Sequence, residues 1–251
     1  MRRHMFRWSP ARIIAGAFGS ISFIGSILLY LPWGHMPGQS ITYVDALYTA
    51  VSALCVTGLS IVDTAAVFNP FGQAILAVLI QVGGLGVSTM GAGVLLMLGR
   101  KVGIRQRNLI HDTMNLDSYS GVVRFLRTLF ATTVFIEVIG AFLGYFVFRR
   151  DYEMMESIGL SIFHSISSFN NAGLTILTKE RSMEMYAEDP FMLILTTALV
   201  FVGGLGFIVI RECWVNRFRW RKLSMHSRVS IFMAVFLLIG GAVLLKLTNP
   251  I

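Results

Sequence analysis

Charged residues are scarce in this sequence, and their scarcity excludes a water-soluble domain of ordinary composition. They make up 14% of the 251 residues, whereas 55% are hydrophobic, and the mean hydropathy is +0.70. Soluble domains carry about 25% charged residues. The composition therefore indicates an integral membrane protein embedded in a lipid bilayer.

Residues that carry chemistry are also sparse. We find no nucleophile beside a base, no cluster of metal-ligating side chains and no phosphate-cradling glycine loop at a productive spacing. An enzyme is therefore the least favoured function, and no cofactor is expected in this chain. Of the two cysteines, Cys55 is predicted in a loop in the outer half of the membrane and Cys213 just beyond a helix at the inner face, so we expect free thiols and no disulfide.

Long uncharged runs predict membrane-spanning helices, because a helix of roughly 20 residues crosses the bilayer core. The first run follows a basic N-terminus and has no cleavage site after it, which favours a retained signal anchor over a cleaved signal peptide. Within the third run the one charged residue is Glu137, for which we expect a structural hydrogen bond to a neighbouring helix. The five runs cover residues 13–31, 71–99, 128–148, 190–210 and 229–245.

Two further uncharged runs, 46–62 and 157–178, are predicted to be re-entrant loops. Most of the 21 Lys and Arg residues fall within residues 2–12, 100–127 and 211–228. The positive-inside rule places all three clusters in the cytoplasm only if both runs enter and leave the membrane from outside. The N-terminus is then cytoplasmic, and the net charge of +8 reflects cytoplasmic flanks rather than nucleic-acid binding.

The order of span, re-entrant loop and span occurs twice, which predicts tandem repeats. Asn69-Pro70 and Asp189-Pro190 each have the pattern of an N-cap followed by proline at the first helical position. The string VGGLG recurs at 82–86 and 202–206, and its first glycine follows each proline by 13 residues. Two crossings per unit give both units the same orientation, around an axis along the membrane normal. We interpret the glycines as packing residues inside a continuous inner helix.

The predicted fold class is therefore an all-α integral membrane protein with parallel repeats of helix, re-entrant pore loop and helix, as in K⁺ channels. Two full repeats are followed by the first helix of a third. The expected segments are a basic cytoplasmic N-terminus (1–12), pore repeat 1 (13–99, with its pore helix and filter loop at 42–62), a cytoplasmic linker (100–122), pore repeat 2 (123–212, with its pore helix and filter loop at 157–178), a basic cytoplasmic linker (213–228) and the first helix of repeat 3 (229–251).

The loops have the composition of a filter for monovalent cations. Thr42-x-x-Asp45 predicts a capping box that opens a short helix running inward, whose C-terminus directs partial negative charge at the membrane centre. Each loop then has one glycine at the turn from the helix to a rising strand, Gly58 or Gly173, where positive φ costs little and consecutive carbonyls can face one axis. Such carbonyls can replace the hydration shell of a cation. Neither uncharged run, 46–62 or 157–178, contains an acidic side chain, which argues against a carboxylate ring for divalent ions.

These strings resemble the ion-conducting subunit of the Trk/Ktr/HKT potassium transporter superfamily, closest to the KtrB type. The resemblance rests on ALYTAVSALCVTGLSIVDT, FGQAILAVLIQVGGLGVSTMG, FHSISSFNNAGLTI and FVGGLGFIVI, whose order and spacing cover essentially the whole chain. It implies uptake of K⁺ across the plasma membrane through a pore surrounded by four such units, with Na⁺ as a candidate ion that stimulates or accompanies the uptake. It also implies a homodimer and a cytosolic, nucleotide-binding regulatory ring of the RCK type, similar to KtrA.

The resemblance maps K⁺ coordination onto backbone carbonyls of the two loops. Gln81 and the loop asparagines are expected to brace the filter, and His164 to pack within the second pore helix. The expected filter residues are Val56, Thr57, Gly58, Asn171, Ala172 and Gly173. The expected supporting residues are Cys55, Asn170, Gly83, Gly84, Gly86, Gly203, Gly204 and Gly206.

Three alternatives remain at this stage. With two complete units we expect the sequence to be part of a four-repeat protein, although two chains could also complete a ring, and gate residues cannot be named. A coupled secondary transporter is a rival function, but such folds often use inverted repeats, whereas these repeats are parallel. A non-conducting scaffold or sensor subunit is the other rival, and it predicts that both loop glycines tolerate bulky side chains.

Overall fold

The computed structural model describes residues 10–86, 89–90, 122–177, 183–217 and 219–248. Within these ranges the regular elements are helices, and β pairing is limited to one antiparallel bridge between His35 and Phe68. The prediction of an all-α membrane protein is confirmed. The predicted linker 100–122, except for Val122, lies outside the described residues.

Nine α-helices and three short 3₁₀-helices occupy the described ranges. The 3₁₀-helices are Pro32–Gly34, Met183–Tyr186 and Trp220–Lys222. The α-helices are α1 (Pro10–Tyr30), α2 (Tyr43–Leu54), α3 (Thr64–Val67), α4 (Pro70–Leu85), α5 (Val122–Phe148), α6 (Met154–Phe169), α7 (Pro190–Gly204), α8 (Phe207–Val215) and α9 (Met225–Thr248).

Several of these helices can cross a membrane. By length and apolar composition α1, α5 and α9 each suffice, and α7 with α8 makes a fourth if the bent pair is one span. Helix α4 is apolar but has 16 residues, fewer than the roughly 20 that a bilayer core requires. The chain is therefore a multi-pass membrane protein, with α1, α5 and α9 containing most or all of three of the predicted runs.

Both VGGLG strings break a helix, which differs from the continuous inner helix that we predicted. Helix α4 ends before Gly86, whose φ is +83°, and α7 ends before Gly206, whose φ is +84°. Helices α7 and α8 meet at 98°. Glycine adopts positive φ without steric cost, and one such residue ends a helix. The prediction of an uninterrupted span over 190–210 is therefore wrong, and residues 87–88 and 91–99 of the other span lie outside the described part of the chain.

The helix starts follow from their capping residues. The predicted capping box is confirmed: Thr42 Oγ1 accepts from the Asp45 N–H, and Asp45 accepts from the Thr42 N–H. Asn69 Oδ1 accepts two N–H groups at the start of α4, and Asp189 Oδ1 does the same at the start of α7, each before a proline at the first position. These caps fix where both helices begin, because they satisfy N–H groups that have no partner inside the helix.

The core surrounds helices α2 and α6, each of which ends at a predicted filter loop. Helix α2 packs against α1 and α4, α6 packs against α5 and α7, and α4 also contacts α6. Ala46, Ala50 and Ala53 of α2 are fully buried, as is Phe169 at the end of α6 with 1% exposure. These four neighbouring helices therefore enclose α2 and α6 and hold the ends of both at the centre of the packed region.

Candidate ion-filter site

The segments after α2 and α6 have nearly the same backbone conformation. Cys55 and Asn170 are the C-caps of the two helices. The next residues, Val56 and Asn171, have φ values of 57° and 58°, and two positions later Gly58 and Gly173 have 75° and 70°. Left-handed residues therefore alternate with ordinary ones, and each predicted filter loop turns back immediately below a helix C-terminus.

The two predicted filter loops lie side by side. A methyl group placed on Gly58 would lie 2.5 Å from the carbonyl oxygen of Ala172 and 3.4 Å from Cα of Gly173. The hydroxyl of Thr64 donates to the carbonyl of Thr175, which joins the two segments again beyond the glycines. The structure thus brings together residues that are more than 100 positions apart in the sequence.

The first glycine of each VGGLG string contacts the last residue of α2 or α6. A Cβ atom on Gly83 would lie 1.9 Å from the Leu54 carbonyl oxygen, and one on Gly203 would lie 1.7 Å from the Phe169 carbonyl oxygen. Real Cβ atoms do not approach an oxygen this closely, so only glycine fits. These two positions hold α4 and α7 against the backbone that precedes each loop.

The remaining glycines of the strings differ from one another. Gly84 faces Asn170, whose Oδ1 would lie 2.0 Å from an added Cβ, whereas the nearest atom to a Cβ on Gly204 is 3.9 Å away. Gly86 has no atom closer than 3.8 Å and Gly206 none within 4 Å. The last glycine of each string therefore has a conformational role rather than the packing role that we predicted.

Three polar side chains connect the second loop to helices α4 and α5. Nδ2 of Asn170 donates to Oε1 of Gln81 at 3.0 Å and to Oε1 of Glu137 at 3.3 Å. Nε2 of Gln81 donates to Oε2 of Glu137 at 3.2 Å. The hydroxyl of Ser165 also donates to the Glu137 carbonyl at 2.7 Å. The predicted hydrogen bonding of Glu137 to neighbouring helices is confirmed, and it links α4, α5 and the start of the second loop.

Cys55 takes the position of Asn170 in the first loop, where it is exposed and has a free thiol. Cys213, in α8, is buried and also free. The polar brace on the second loop thus has no counterpart at Cys55. Within helix α6, His164 contacts Thr196 of α7 at 3.0 Å and stacks edge-on against Phe148, which ties the middle of α6 to both of its neighbours.

Two buried serines were missed by the sequence analysis. Ser52 and Ser167 each lie two residues before the end of their helix, and each hydroxyl donates to a carbonyl beyond the loop glycine. The signal was present in the sequence, because both serines precede the loop glycine by six residues. Serine is common enough near helix ends that this spacing alone did not identify them.

Val56 occupies a strained conformation, and we expect Val56→Asn to stabilise the protein. A β-branched residue at φ 57° is a steric outlier, whereas asparagine tolerates this region and stands at the matching position as Asn171. Removal of the strain should raise the free energy of unfolding by about 1 kcal/mol. The thermal unfolding midpoint in detergent measures the change. Val44→Asn on the exposed face of α2 is the control and should slightly lower the midpoint; an equal loss for both variants would contradict the prediction.

Known proteins with related sequences support the membrane-transport interpretation. The family model for TrkH, described as a cation transport protein, matches residues 10–244. The potassium/sodium uptake protein NtpJ of Enterococcus hirae is 36% identical over 243 residues, which cover 97% of this chain and 53% of that protein. The Ktr system potassium uptake protein B of Bacillus subtilis is 34% identical over 225 residues, covering 90% of this chain and 49% of that protein.

A second protein with the same name, from Vibrio alginolyticus, is 35% identical over an alignment of 259 residues that includes 99% of this chain and 55% of the relative. The chain spans about half the length of these curated relatives. The family model, in contrast, matches nearly the whole chain, so the assignment rests on all of the described helices. This chain belongs to the TrkH family of cation transport proteins, a family of transporters rather than enzymes, as the sequence strings predicted.

Proposed function

We propose that this chain forms part of a channel-like potassium pore and that residues 56–58 and 171–173 supply backbone carbonyls to its selectivity filter. The observation that carries the proposal is the pair of left-handed loops placed side by side at the C-termini of α2 and α6, with Gly58 against Ala172. The names of the relatives, which refer to potassium uptake or potassium/sodium uptake, support K⁺ as the ion and Na⁺ as a second candidate.

The proposed mechanism is electrodiffusion. A cation must lose much of its hydration shell to enter a narrow pore, and carbonyl oxygens offset that cost. The C-termini of α2 and α6 point their partial negative charge toward the loops and add to the stabilisation. Across the described ranges no three His, Cys, Asp or Glu side chains form a group able to hold a metal ion. The polar side chains within residues 56–58 and 171–173 are the Thr57 hydroxyl and the Asn171 amide.

The proposed topology has two parallel units. The first comprises residues 13–99, the second residues 123–212, and residues 229–251 begin a third; residues 100–122 and 213–228 are cytoplasmic linkers. The similar caps of α4 and α7 and the similar φ angles of the two loops support the repeat. In this arrangement the loops enter from outside, and the N-terminus is cytoplasmic at the plasma membrane.

The proposed assembly is a homodimer regulated by a second component. Two relatives are named as protein B of a Ktr system, which supports the presence of a partner. We propose an RCK-type nucleotide-binding ring on the cytoplasmic side, where the basic residues of 211–228 lie in the proposed topology. Nucleotide would bind to that ring and not to this chain.

Uptake of radioactive rubidium into liposomes tests the proposed function. The protein is expressed from its intact gene, purified with its cytosolic partner and reconstituted, and unlabelled K⁺ or Na⁺ is added as competitor. We expect uptake that K⁺ blocks at lower concentration than Na⁺. Absent uptake by folded, partner-bound protein would contradict the pore. Saturable flux of an organic solute driven by Na⁺ or H⁺ would favour a coupled secondary transporter. Absent uptake, together with bulky side chains at Gly58 that leave the folded protein unchanged, would favour a scaffold.

A further inference from the structure

Helices α2 and α6 each carry one buried serine whose hydroxyl reaches beyond the loop glycine. Ser52 is 4% exposed and Ser167 is 3% exposed. The Ser52 hydroxyl donates to the carbonyl of Leu59 at 2.5 Å, and the Ser167 hydroxyl donates to the carbonyl of Leu174 at 2.6 Å. In both loops the acceptor is the leucine directly after the glycine, so the same contact is built twice although the five residues that follow each serine differ.

The main chain of the same two serines holds the other side of each glycine. The Thr57 N–H donates to the Ser52 carbonyl at 3.0 Å, and the Ala172 N–H donates to the Ser167 carbonyl at 2.8 Å. One serine therefore contacts the residue before the glycine through its carbonyl and the residue after it through its hydroxyl. The glycine peptide units are fixed between these two contacts.

A carbonyl that accepts a short hydrogen bond from a buried hydroxyl has a fixed direction. The Leu59 carbonyl is directed toward α2 and the Leu174 carbonyl toward α6. Their oxygens are therefore not available to an ion on the other side of the loop. No contact of this kind holds the carbonyls of Gly58 and Gly173 in the described part of the chain. The hydrogen bond thus separates the carbonyls that can face the pore from those that cannot.

We propose that Ser52 and Ser167 are positioning residues that set the outer end of the filter by turning the Leu59 and Leu174 carbonyls away from the ion path. The inference rests on the proposed function, since it assigns the serines a role in the same filter. It deepens that proposal because two side chains, in the helices that precede the filter residues, then determine how many carbonyls can face the ion.

A second hydroxyl lies beside Ser52 but not at the matching position beside Ser167, which predicts that the two serine substitutions differ in the size of their effect. The Thr57 hydroxyl donates to Oγ of Ser52 at 2.9 Å and also lies 3.3 Å from its carbonyl oxygen. Ala172 occupies the position of Thr57 in the second loop and has no hydroxyl. Substitution of Ser52 therefore leaves one side-chain hydroxyl, that of Thr57, next to the first loop. Substitution of Ser167 leaves no hydroxyl at the matching place in the second loop.

The test compares K⁺ preference, defined as the ratio of the Na⁺ and K⁺ concentrations that halve rubidium uptake into liposomes. Ser167→Ala should reduce this ratio about fivefold, which corresponds to the loss of one hydrogen bond, and Ser52→Ala should reduce it less. Ser167→Thr retains the hydroxyl and should restore most of the preference. Ser161→Ala is the matched control, because Ser161 is also buried in α6 but its hydroxyl bonds the Ile158 carbonyl within its own helix.

Each outcome decides the proposal. An unchanged ratio in Ser167→Ala, with K⁺-sensitive uptake in the wild type, overturns the positioning role and leaves the proposed function intact. An equal reduction in Ser161→Ala also overturns it, because the effect would then be general loss of packing. If Ser167→Ala does not fold, Ser52→Ala gives the decisive ratio. A wild type without K⁺-sensitive uptake overturns the proposed function together with this inference.

Discussion

Gly58→Asp is expected to abolish rubidium uptake while the protein still folds and reaches the membrane. Any side chain at this position would place its Cβ 2.5 Å from the Ala172 carbonyl oxygen, and this neighbour is main chain that cannot rotate away. The carboxylate would also add a fixed negative charge to a loop that has none. Because conduction requires binding weak enough for the ion to leave, we expect uptake to fall to the level of protein-free liposomes.

Gly38→Asp separates this effect from simple backbone strain. Gly38 has φ +81°, close to the +75° of Gly58, but no atom lies within 4 Å of an added Cβ. Aspartate tolerates positive φ better than most residues, so both variants carry similar conformational costs. Gly38→Asp should transport normally. Equal transport by Gly58→Asp and the wild type, under conditions where both are equally incorporated, would eliminate residues 56–58 as part of the ion path.

Gly203→Ala is expected to cause the largest loss of stability. The new methyl group would lie 1.7 Å from the Phe169 carbonyl oxygen, so α7 must move away from the end of α6 or the second loop must shift. Overpacking a well-filled core costs up to about 3 kcal/mol, and we expect a loss of this size in the free energy of unfolding. The shift of the thermal unfolding midpoint in detergent measures it, and rubidium uptake should fall as the second loop is displaced.

The adjacent residue supplies the control for this prediction. Gly204→Ala adds the same methyl group to the same helix, but the nearest atom, in the Asn171 amide, is 3.9 Å away. Alanine is a better helix former than glycine by roughly 1 kcal/mol or less, so the midpoint should stay the same or rise. Similar losses in the two variants would show that the α6 end does not depend on close approach at Gly203.

The sequence predicts the long helices because their signals are local. The apolar runs 13–31, 128–148 and 229–245 fall mostly or wholly within α1, α5 and α9, since each needs only continuous apolar residues. The caps at Asn69 and Asp189 were also predictable, because Asn and Asp are favoured at the N-cap and proline is favoured at the first helical position. Composition and charge placement alone were enough to exclude a soluble domain.

The breaks at Gly86 and Gly206 could not be predicted in the same way. The sequence does not distinguish a glycine that packs closely from a glycine that ends a helix. Gly203 and Gly206 differ in their backbone conformation and in the atoms that surround them, which only the structure shows. The contact between Gly58 and Ala172 likewise depends on how two distant units meet. The roles of Ser52 and Ser167 required knowing where the Leu59 and Leu174 carbonyls point, which no periodicity encodes.

The hydrogen bonds of Glu137 have a consequence for how the chain enters the bilayer during synthesis. A carboxyl group in an apolar helix is costly to insert alone, and its cost falls when a polar partner is already in the membrane. Gln81 precedes Glu137 in the chain and Asn170 follows it, so α4 offers the first partner when α5 is inserted and α6 completes the set later. The order of translation thus matches the order in which this carboxyl group acquires its partners.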